Sequence, residues 1–408
     1  MKKISIDSTH DFVLKAFISI CVILPTGSVF GINIKFIFLF LVLALSIVAR
    51  KGRGIVKLML GMLPAIFVMA VFLFITMLNV RYIPETVDQS KDILVFFLMA
   101  AISYSLVDKD RRYEVITKTI INCLVAIGII KFLIFAFAAV TGGSVASVVS
   151  MISKLFNTSL MTMESEDVSI SRINFMSDYI LPMAIFIKTK QYLRKDSPRF
   201  SSVIILILMY SIIISLSRFL WAAGLLSLAM GIASDIKKKK SLLIISFAAI
   251  MITIIISLPS VQEVIEFRMA SKGVERSDDL RTLQFNAIYR EFEKAPLLGN
   301  GVGYYVPTLL RSTISRYSYE LQIQALYMQM GIFGATTILL LIIGTLLTQV
   351  RGFGAKNTIF YFVLISLWMA GGFFNPVILS STGGVAFMLL FCTPDAIKRM
   401  DNKGRVLP

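Results

Sequence analysis

The sequence has little charge, histidine or cysteine for its 408 residues: only 16% are charged, whereas soluble domains average about 25%. His10 is the single histidine, and the three cysteines, Cys21, Cys123 and Cys392, lie far apart in apolar runs. No disulfide framework and no zinc or haem site can be assembled from so few ligands. We therefore expect neither a metal nor another cofactor.

What the sequence has instead is hydrophobic length, with 57% hydrophobic residues and a mean hydropathy of +0.81. Its apolar runs of roughly 17 to 25 residues are long enough to cross about 30 Å of hydrocarbon as helices, and they lack the alternation of a membrane barrel. We expect an all-α, polytopic membrane protein in which residues 1–408 form a single integral membrane domain.

Hydropathy predicts about twelve membrane spans. In chain order they are Phe12–Val29, Ile32–Val48, Val56–Asn79, Asp92–Val107, Val115–Val140, Phe175–Ile187, Ser201–Leu216, Phe219–Ser234, Ser241–Leu258, Leu321–Val350, Thr358–Leu379 and Ser381–Pro394.

The net charge of +17 comes from basic segments between alternate spans, among them KTKQYLRKDSPR and DIKKKK. Short cytoplasmic loops carry such an excess of lysine and arginine, so we place these segments and both termini in the cytoplasm. Orientation and anionic lipid account for the basic residues, and nucleic acid is not an expected partner.

Two segments on the opposite side are too long to be simple connections. In 141–172, the stretch VASVVSMISKLF is predicted to form an amphipathic helix in the membrane interface. Segment 259–320 is the only region large enough to fold as a small extramembrane lid.

A helix is predicted within that lid, from an N-cap at Ser277 to Lys294 in the last turn, with Pro296 just beyond. Its apolar stripe is predicted to lie against the membrane domain, with Arg281 at the edge. The stripe consists of Leu280, Leu283, Ala287, Ile288 and Phe292.

Directly after this helix comes PLLGNGVGYY, in which Gly299, Gly301 and Gly303 permit a tight turn. The backbone amides of such a turn can approach an anion closely. The alternative interpretation is a loop that closes under the helix.

A single charged residue, Arg218, lies in the 34-residue stretch 201–234, between two apolar runs with almost no connecting loop. There the charge either snorkels to lipid phosphate or faces a polar cavity inside the bundle. We favour the second interpretation, because a tight turn restricts the side chain and a guanidinium suits bidentate phosphate recognition.

Four motifs, in this order over Ser201–Gly334, resemble the O-antigen polymerase and ligase superfamily of bacterial inner-membrane glycosyltransferases. They are SLSRFLW, an arginine on a helix in a large outer loop, PLLGNGVGYY and YELQIQALYMQMGIFG. The N-terminal half matches only in hydropathy. The resemblance implies a GT-C-type membrane fold, an undecaprenyl pyrophosphate-linked glycan donor and chemistry at the periplasmic face. By motif position, Arg218 and Arg281 correspond to the family's two functional arginines.

One departure separates the branches of this family. Where the ligase branch usually carries a histidine, this chain has Glu320, which favours the polymerase branch. Glu320 is a candidate base for the acceptor hydroxyl, and its alternative role is a surface cap at the start of the next span. Tyr304, Tyr305 and Tyr319 either stack on sugar faces or mark the membrane boundary.

We therefore expect an O-antigen or related surface-polysaccharide polymerase, a metal-independent glycosyltransferase that inverts configuration at the anomeric carbon. Its expected partners are the lipid-linked oligosaccharide, the bilayer, a chain-length regulator and a flippase. The alternatives are an O-antigen ligase, which transfers glycan to the lipid A core, a lipid-linked oligosaccharide flippase, and a non-catalytic scaffold. Lys131, inside an apolar span, is the residue that favours the flippase.

Overall fold

The computed structural model describes residues 6–24, 28–29, 32–49, 52–79, 83–156, 162–163, 172–194, 200–235, 241, 271–311 and 315–403. These residues form thirteen α-helices, a few short helical turns and two hairpins of two-residue strands, so the expected all-α class is confirmed. Apart from Ser241, the predicted span Ser241–Leu258 lies outside the described residues, as do lid residues 259–270.

The described residues form the following helices. They are α1 Ile6–Ile23, α2 Ile34–Ala49, α3 Arg53–Asn79, α4 Ile83–Ser105, α5 Lys118–Thr141, α6 Val145–Phe156, α7 Leu181–Tyr192, α8 Ser201–Ile214, α9 Arg218–Ala233, α10 Ser271–Lys294, α11 Gln322–Leu347, α12 Ala355–Gly371 and α13 Ser381–Lys403. The strands pair antiparallel, β1 Ser28–Val29 with β2 Ile32–Asn33 and β3 Thr162–Met163 with β4 Arg172–Ile173.

Three helical stretches among the described residues are long and apolar enough to cross a membrane: Arg53–Leu78, Lys109–Thr141 and Gln322–Val350. Four shorter apolar helices, α2, α8, α9 and α12, accompany them. These findings support a membrane protein, and the number of spans stays a prediction. Helices also extend beyond the predicted spans, because hydropathy follows apolar residues only: α4 begins at Ile83, ahead of the predicted Asp92, and its first turns are polar.

Helices α7 and α13 form the centre of the bundle. Residues 181–187 of α7 and 385–392 of α13 are all buried, as expected for helices that are apolar all round. Helix α13 packs on α4, and α7 packs on α8 and α9. The outer helices α2, α3 and α5 instead expose large apolar side chains, including Phe40, Phe67 and Phe132. Such an apolar exterior suits contact with lipid.

The two ends of the bundle differ in character. One end, here called the Asp395 end, gathers basic residues and their carboxylate partners, such as Arg112 with Asp395 at 3.1 Å and Arg194 with Asp401 at 3.3 Å. The opposite end, here called the Arg218 end, holds the start of α9 and the lid, which consists of residues 271–311 and 315–320. Arg112 and Arg194, from segments predicted to be cytoplasmic, thus lie at the end opposite to the lid, and the orientation in the membrane stays a prediction.

Helix α11 is broken at Gly331, whose φ of 62° and ψ of −173° are not helical. The chain segment 295–303, here called the glycine loop, replaces the missing turn. Its amides at Asn300 and Gly301 donate to the carbonyls of Met328 and Gln329 at 3.0 and 2.9 Å. On the far side of the break, the amides of Ile332 and Phe333 donate to the carbonyls of Pro296 and Leu297 at 2.8 and 3.2 Å.

The glycine loop and the break in α11 approach each other so closely that both need a glycine at the contact. Gly299 and Gly331 have φ values of 75° and 62°, which disfavour any residue with a Cβ. A Cβ on Gly299 would collide with the backbone of Gln329, and one on Gly331 with the backbone of Leu297. The loop therefore touches the broken helix backbone to backbone.

We expect Gly331→Ala to lower the stability of the protein by at least about 1–3 kcal/mol, the cost of a backbone conformation that essentially only glycine adopts, with the collision adding to it. Gly344→Ala in the same helix is the matched control, because no atom lies within 4 Å of its Cβ position. Alanine is a better helix former there, so stability should stay the same or rise. Thermal unfolding in detergent measures both, and equal melting temperatures would contradict the packing role of Gly331.

Candidate functional site

Arg218 is the first residue of α9 and is exposed at the end of a very tight turn. Only Ser215, Leu216 and Ser217 separate α8 from α9, which confirms the expected lack of a loop. Leu216 has a left-handed φ of 47°, which costs about 1–2 kcal/mol for a residue with a side chain. The Ser217 hydroxyl caps α9 by accepting from the Leu220 amide at 3.4 Å. The turn therefore fixes the backbone beneath Arg218.

Three aromatic rings connect this turn with the lid. Phe219 stacks on Tyr179 with 5.9 Å between ring centroids, and packs against Phe374 at 5.3 Å. The guanidinium carbon of Arg281 lies 5.6 Å from the centroid of Phe374, a cation–π contact. Tyr179, Phe219 and Phe374, here called the aromatic seat, thus place Arg281 near the start of α9.

Glu320 lies between two arginines. Its Oε2 is 3.3 Å from Nε of Arg281, and its Oε1 is 3.4 Å from Nη2 of Arg311. The Glu320 amide also donates to Oε1 of Gln284 on α10 at 3.2 Å. The structure therefore brings Arg281 and Glu320 into contact, and adds Arg311, which no sequence motif indicated.

The lid has a small hydrophobic core of its own, shared with the first half of α11. Ile288, Tyr305, Val306 and Tyr319 form it together with Leu321 and the following turns of α11. Ala287 and Phe292 pack against this core, which is mostly that of the lid and not of the membrane domain as predicted.

The predicted stripe is wrong for Leu280 and Leu283, which are 54% and 57% exposed. The reason is that α10 is held by polar contacts from Arg281 and Gln284 to Glu320. These contacts rotate the two leucines away from the core.

The amides of the glycine loop are already used within the protein. In addition to the contacts with α11, the Val302 amide donates to Oγ1 of Thr76 at 2.8 Å, and the Gly303 amide donates to Oε1 of Gln89. An anion would have to displace these bonds to reach Gly301 or Gly303. The geometry favours the interpretation of a loop that closes under the helix.

The three candidate tyrosines bind neighbouring lid groups. Tyr304 donates to Oε2 of Glu291 at 2.6 Å, and the Tyr319 hydroxyl accepts from the Val306 amide at 2.7 Å. Burial raises the pKa of Tyr319 to about 12, so it stays protonated. Burial opposes ionisation of Glu291, but hydrogen bonds from Lys294 and Tyr304 hold its pKa below the usual value.

The third of these tyrosines, Tyr305, is also buried, and its hydroxyl accepts from Nη1 of Arg316 at 3.2 Å. All three hydroxyls therefore hold the lid together. A role in sugar stacking stays a prediction.

No protein-family model matches the chain, and a search of curated proteins gives no significant match. The resemblance to O-antigen polymerases and ligases therefore stays a prediction that depends on four motifs and their order.

Lys131 is neutralised inside the bundle. Its Nζ lies 2.7 Å from Oδ2 of Asp178 and 3.1 Å from the Ser211 carbonyl oxygen, and the side chains of Lys131 and Asp178 are fully buried. The same carboxylate oxygen accepts from the Phe175 amide at 2.9 Å, which fixes the turn that carries Tyr179. The pair thus anchors the aromatic seat, and Lys131 no longer favours a flippase.

We expect Lys131→Met to destabilise the protein by about 3–5 kcal/mol, because it leaves a buried carboxylate without its cation. The double variant Lys131→Met, Asp178→Leu should recover most of that loss. Lys118→Met is the control, since its pair with Glu114 is 57% and 45% exposed and should contribute at most about 1 kcal/mol. Thermal unfolding in detergent compares the three, and a stable Lys131→Met single variant would show that the pair is not a structural anchor.

Proposed function

We propose that the protein is an O-antigen or related surface-polysaccharide polymerase. It transfers a growing glycan from undecaprenyl pyrophosphate to a hydroxyl at the non-reducing end of a second lipid-linked repeat unit. The observation that carries the proposal is the contact of Arg281 with both Glu320 and the Phe374 ring, which also packs on Phe219, the residue after Arg218. Separate motifs, far apart in the sequence, supply these residues.

The chemistry requires few groups from the protein. The bond between the anomeric carbon and the diphosphate oxygen breaks, the acceptor oxygen forms a new bond to that carbon, and the acceptor hydroxyl loses a proton. Arg218 and Arg281 stabilise the negative charge that builds up on the departing diphosphate. Because Arg218 begins α9, the positive end of the helix dipole acts at the same place.

We assign Glu320 the role of accepting the proton of the acceptor hydroxyl, because it is the carboxylate in contact with Arg281. A carboxylate accepts a proton as general base if the acceptor hydroxyl comes within about 2.6–3.2 Å of it. Direct displacement by that hydroxyl inverts configuration at the anomeric carbon.

The rival functions receive less support from the described residues. A ligase of this superfamily uses a histidine where this chain has Glu320, and His10 lies instead buried near the Asp395 end, 2.9 Å from the hydroxyl of Ser46. A flippase requires charged groups that line a path through the bundle, whereas Lys131 is paired and enclosed. A chain-length regulator and a flippase are the proposed partners in the same process.

The proposed orientation puts the Arg218 end in the periplasm of a bacterial inner membrane and both termini in the cytoplasm. A cysteine in place of Asn286, exposed on α10, should then react with an impermeant thiol reagent outside right-side-out vesicles. A cysteine in place of Arg351, exposed between α11 and α12, should react only after permeabilisation. The three native cysteines are buried, so a cysteine-intact parent serves as the blank. Reversed labelling would overturn the orientation and the mechanism together.

A double-variant cycle tests the arginine pair, with purified protein, lipid-linked repeat units and polymer length as readout. Arg218→Ala and Arg281→Ala should each lower turnover strongly, and the double variant should be little worse than either, since residues acting as one unit are non-additive. Arg218→Lys should also lose most activity, because lysine keeps the charge but lacks the planar fork. Additive losses would mean that the arginines serve separate sites, and an active Arg218→Lys would favour lipid snorkelling.

A further inference from the structure

We propose that Arg311 is a third anion-binding residue, and that Glu320 occupies the Arg281–Arg311 pair until the diphosphate of the substrate displaces it. The inference depends on the proposed function for the identity of the anion. It starts from the two ion pairs of Glu320, in which each carboxylate oxygen faces a different guanidinium. Two guanidiniums on one carboxylate form a site built for an anion with several oxygens.

The environment distinguishes this cluster from ordinary surface ion pairs. The side chains of Arg281, Glu320 and Arg311 are 27%, 26% and 29% exposed, so water screens them only partly. Arg281 is also seated over the ring of Phe374. The site is therefore partly desolvated yet still in contact with solvent.

Only the carboxylate group of Glu320 needs to move. Its neighbours Tyr319 and Leu321 are 1% and 6% exposed, and its own amide donates to Gln284. The backbone is thus held on both sides. The side chain can rotate away from the arginines without disturbing the lid core.

Charge favours the exchange. The cluster holds two positive groups and one negative group, and a diphosphate carries more negative charge than a single carboxylate. When the diphosphate binds both guanidiniums, Glu320 is released beside the reacting centre. It can then accept the proton of the acceptor hydroxyl. Substrate binding thereby prepares the base.

The experiment measures binding of farnesyl diphosphate, with farnesyl monophosphate as comparison, to purified full-length protein in detergent by isothermal titration. Arg311→Gln should weaken diphosphate binding about tenfold, as expected for loss of a charged hydrogen bond. Arg316→Gln is the matched control, because Arg316 lies in the same loop and its ion pair is with Glu85, at 3.6 Å, instead of Glu320. It should bind like the parent.

Glu320→Gln should change the affinity for diphosphate in the opposite direction. Removing the internal competitor should tighten diphosphate binding severalfold while polymerisation falls, a split that a purely structural role would not produce. Arg311→Lys should fall between the parent and Arg311→Gln, which keeps the test valid if the glutamine variant folds poorly by size-exclusion chromatography.

The outcomes separate this inference from the proposed function. Unchanged affinity in Arg311→Gln and Arg311→Lys, or weaker binding in Glu320→Gln, would overturn the inference even if the protein polymerises lipid-linked units. The expected affinity pattern without any polymerisation would support the diphosphate site and reject the polymerase.

Discussion

The break in α11 at Gly331 is the constraint on which the Arg218 end depends. A helix interrupted near a membrane leaves carbonyls and amides that lipid cannot satisfy. The glycine loop supplies their partners from the chain just after α10, at Met328 and Gln329 on one side and Ile332 and Phe333 on the other. Because the same loop follows α10 and lies against the first half of α11, the repair of the break also fixes where the lid sits.

The site brings together arginines that would repel one another if no carboxylate lay between them. Arg281 and Arg311 approach a common point, and Glu320 between them offsets the repulsion. The ring of Phe374 offers Arg281 its negative face, and it also packs on Phe219, one residue after Arg218. The ion pair and the aromatic seat therefore hold two catalytic candidates from distant parts of the chain at one end of the bundle.

The sequence could predict features that are encoded locally. The tight turn before Arg218 follows from two apolar runs with no loop between them, and the end of α10 at Lys294 follows from Pro296. The contact face of α10 could not be predicted, because Glu320 selects it from a distant position. The glycine pattern of Gly299 fits an anion cradle and a close backbone contact equally well, and only the neighbouring backbone of Gln329 decides between them.

The distribution of charge along the bundle axis helps to distinguish glycan transport from glycan transfer. Transport of a polar glycan requires polar groups through the depth of the membrane, whereas transfer from a lipid diphosphate requires cations only at the depth of the head group. In the described part of the chain, Lys131 in the interior is matched by Asp178, while Arg218, Arg281 and Arg311 gather at one end. A buried pair that stabilises the turn carrying Tyr179, together with the arginines at the Arg218 end, fits the proposed transferase better than a flippase.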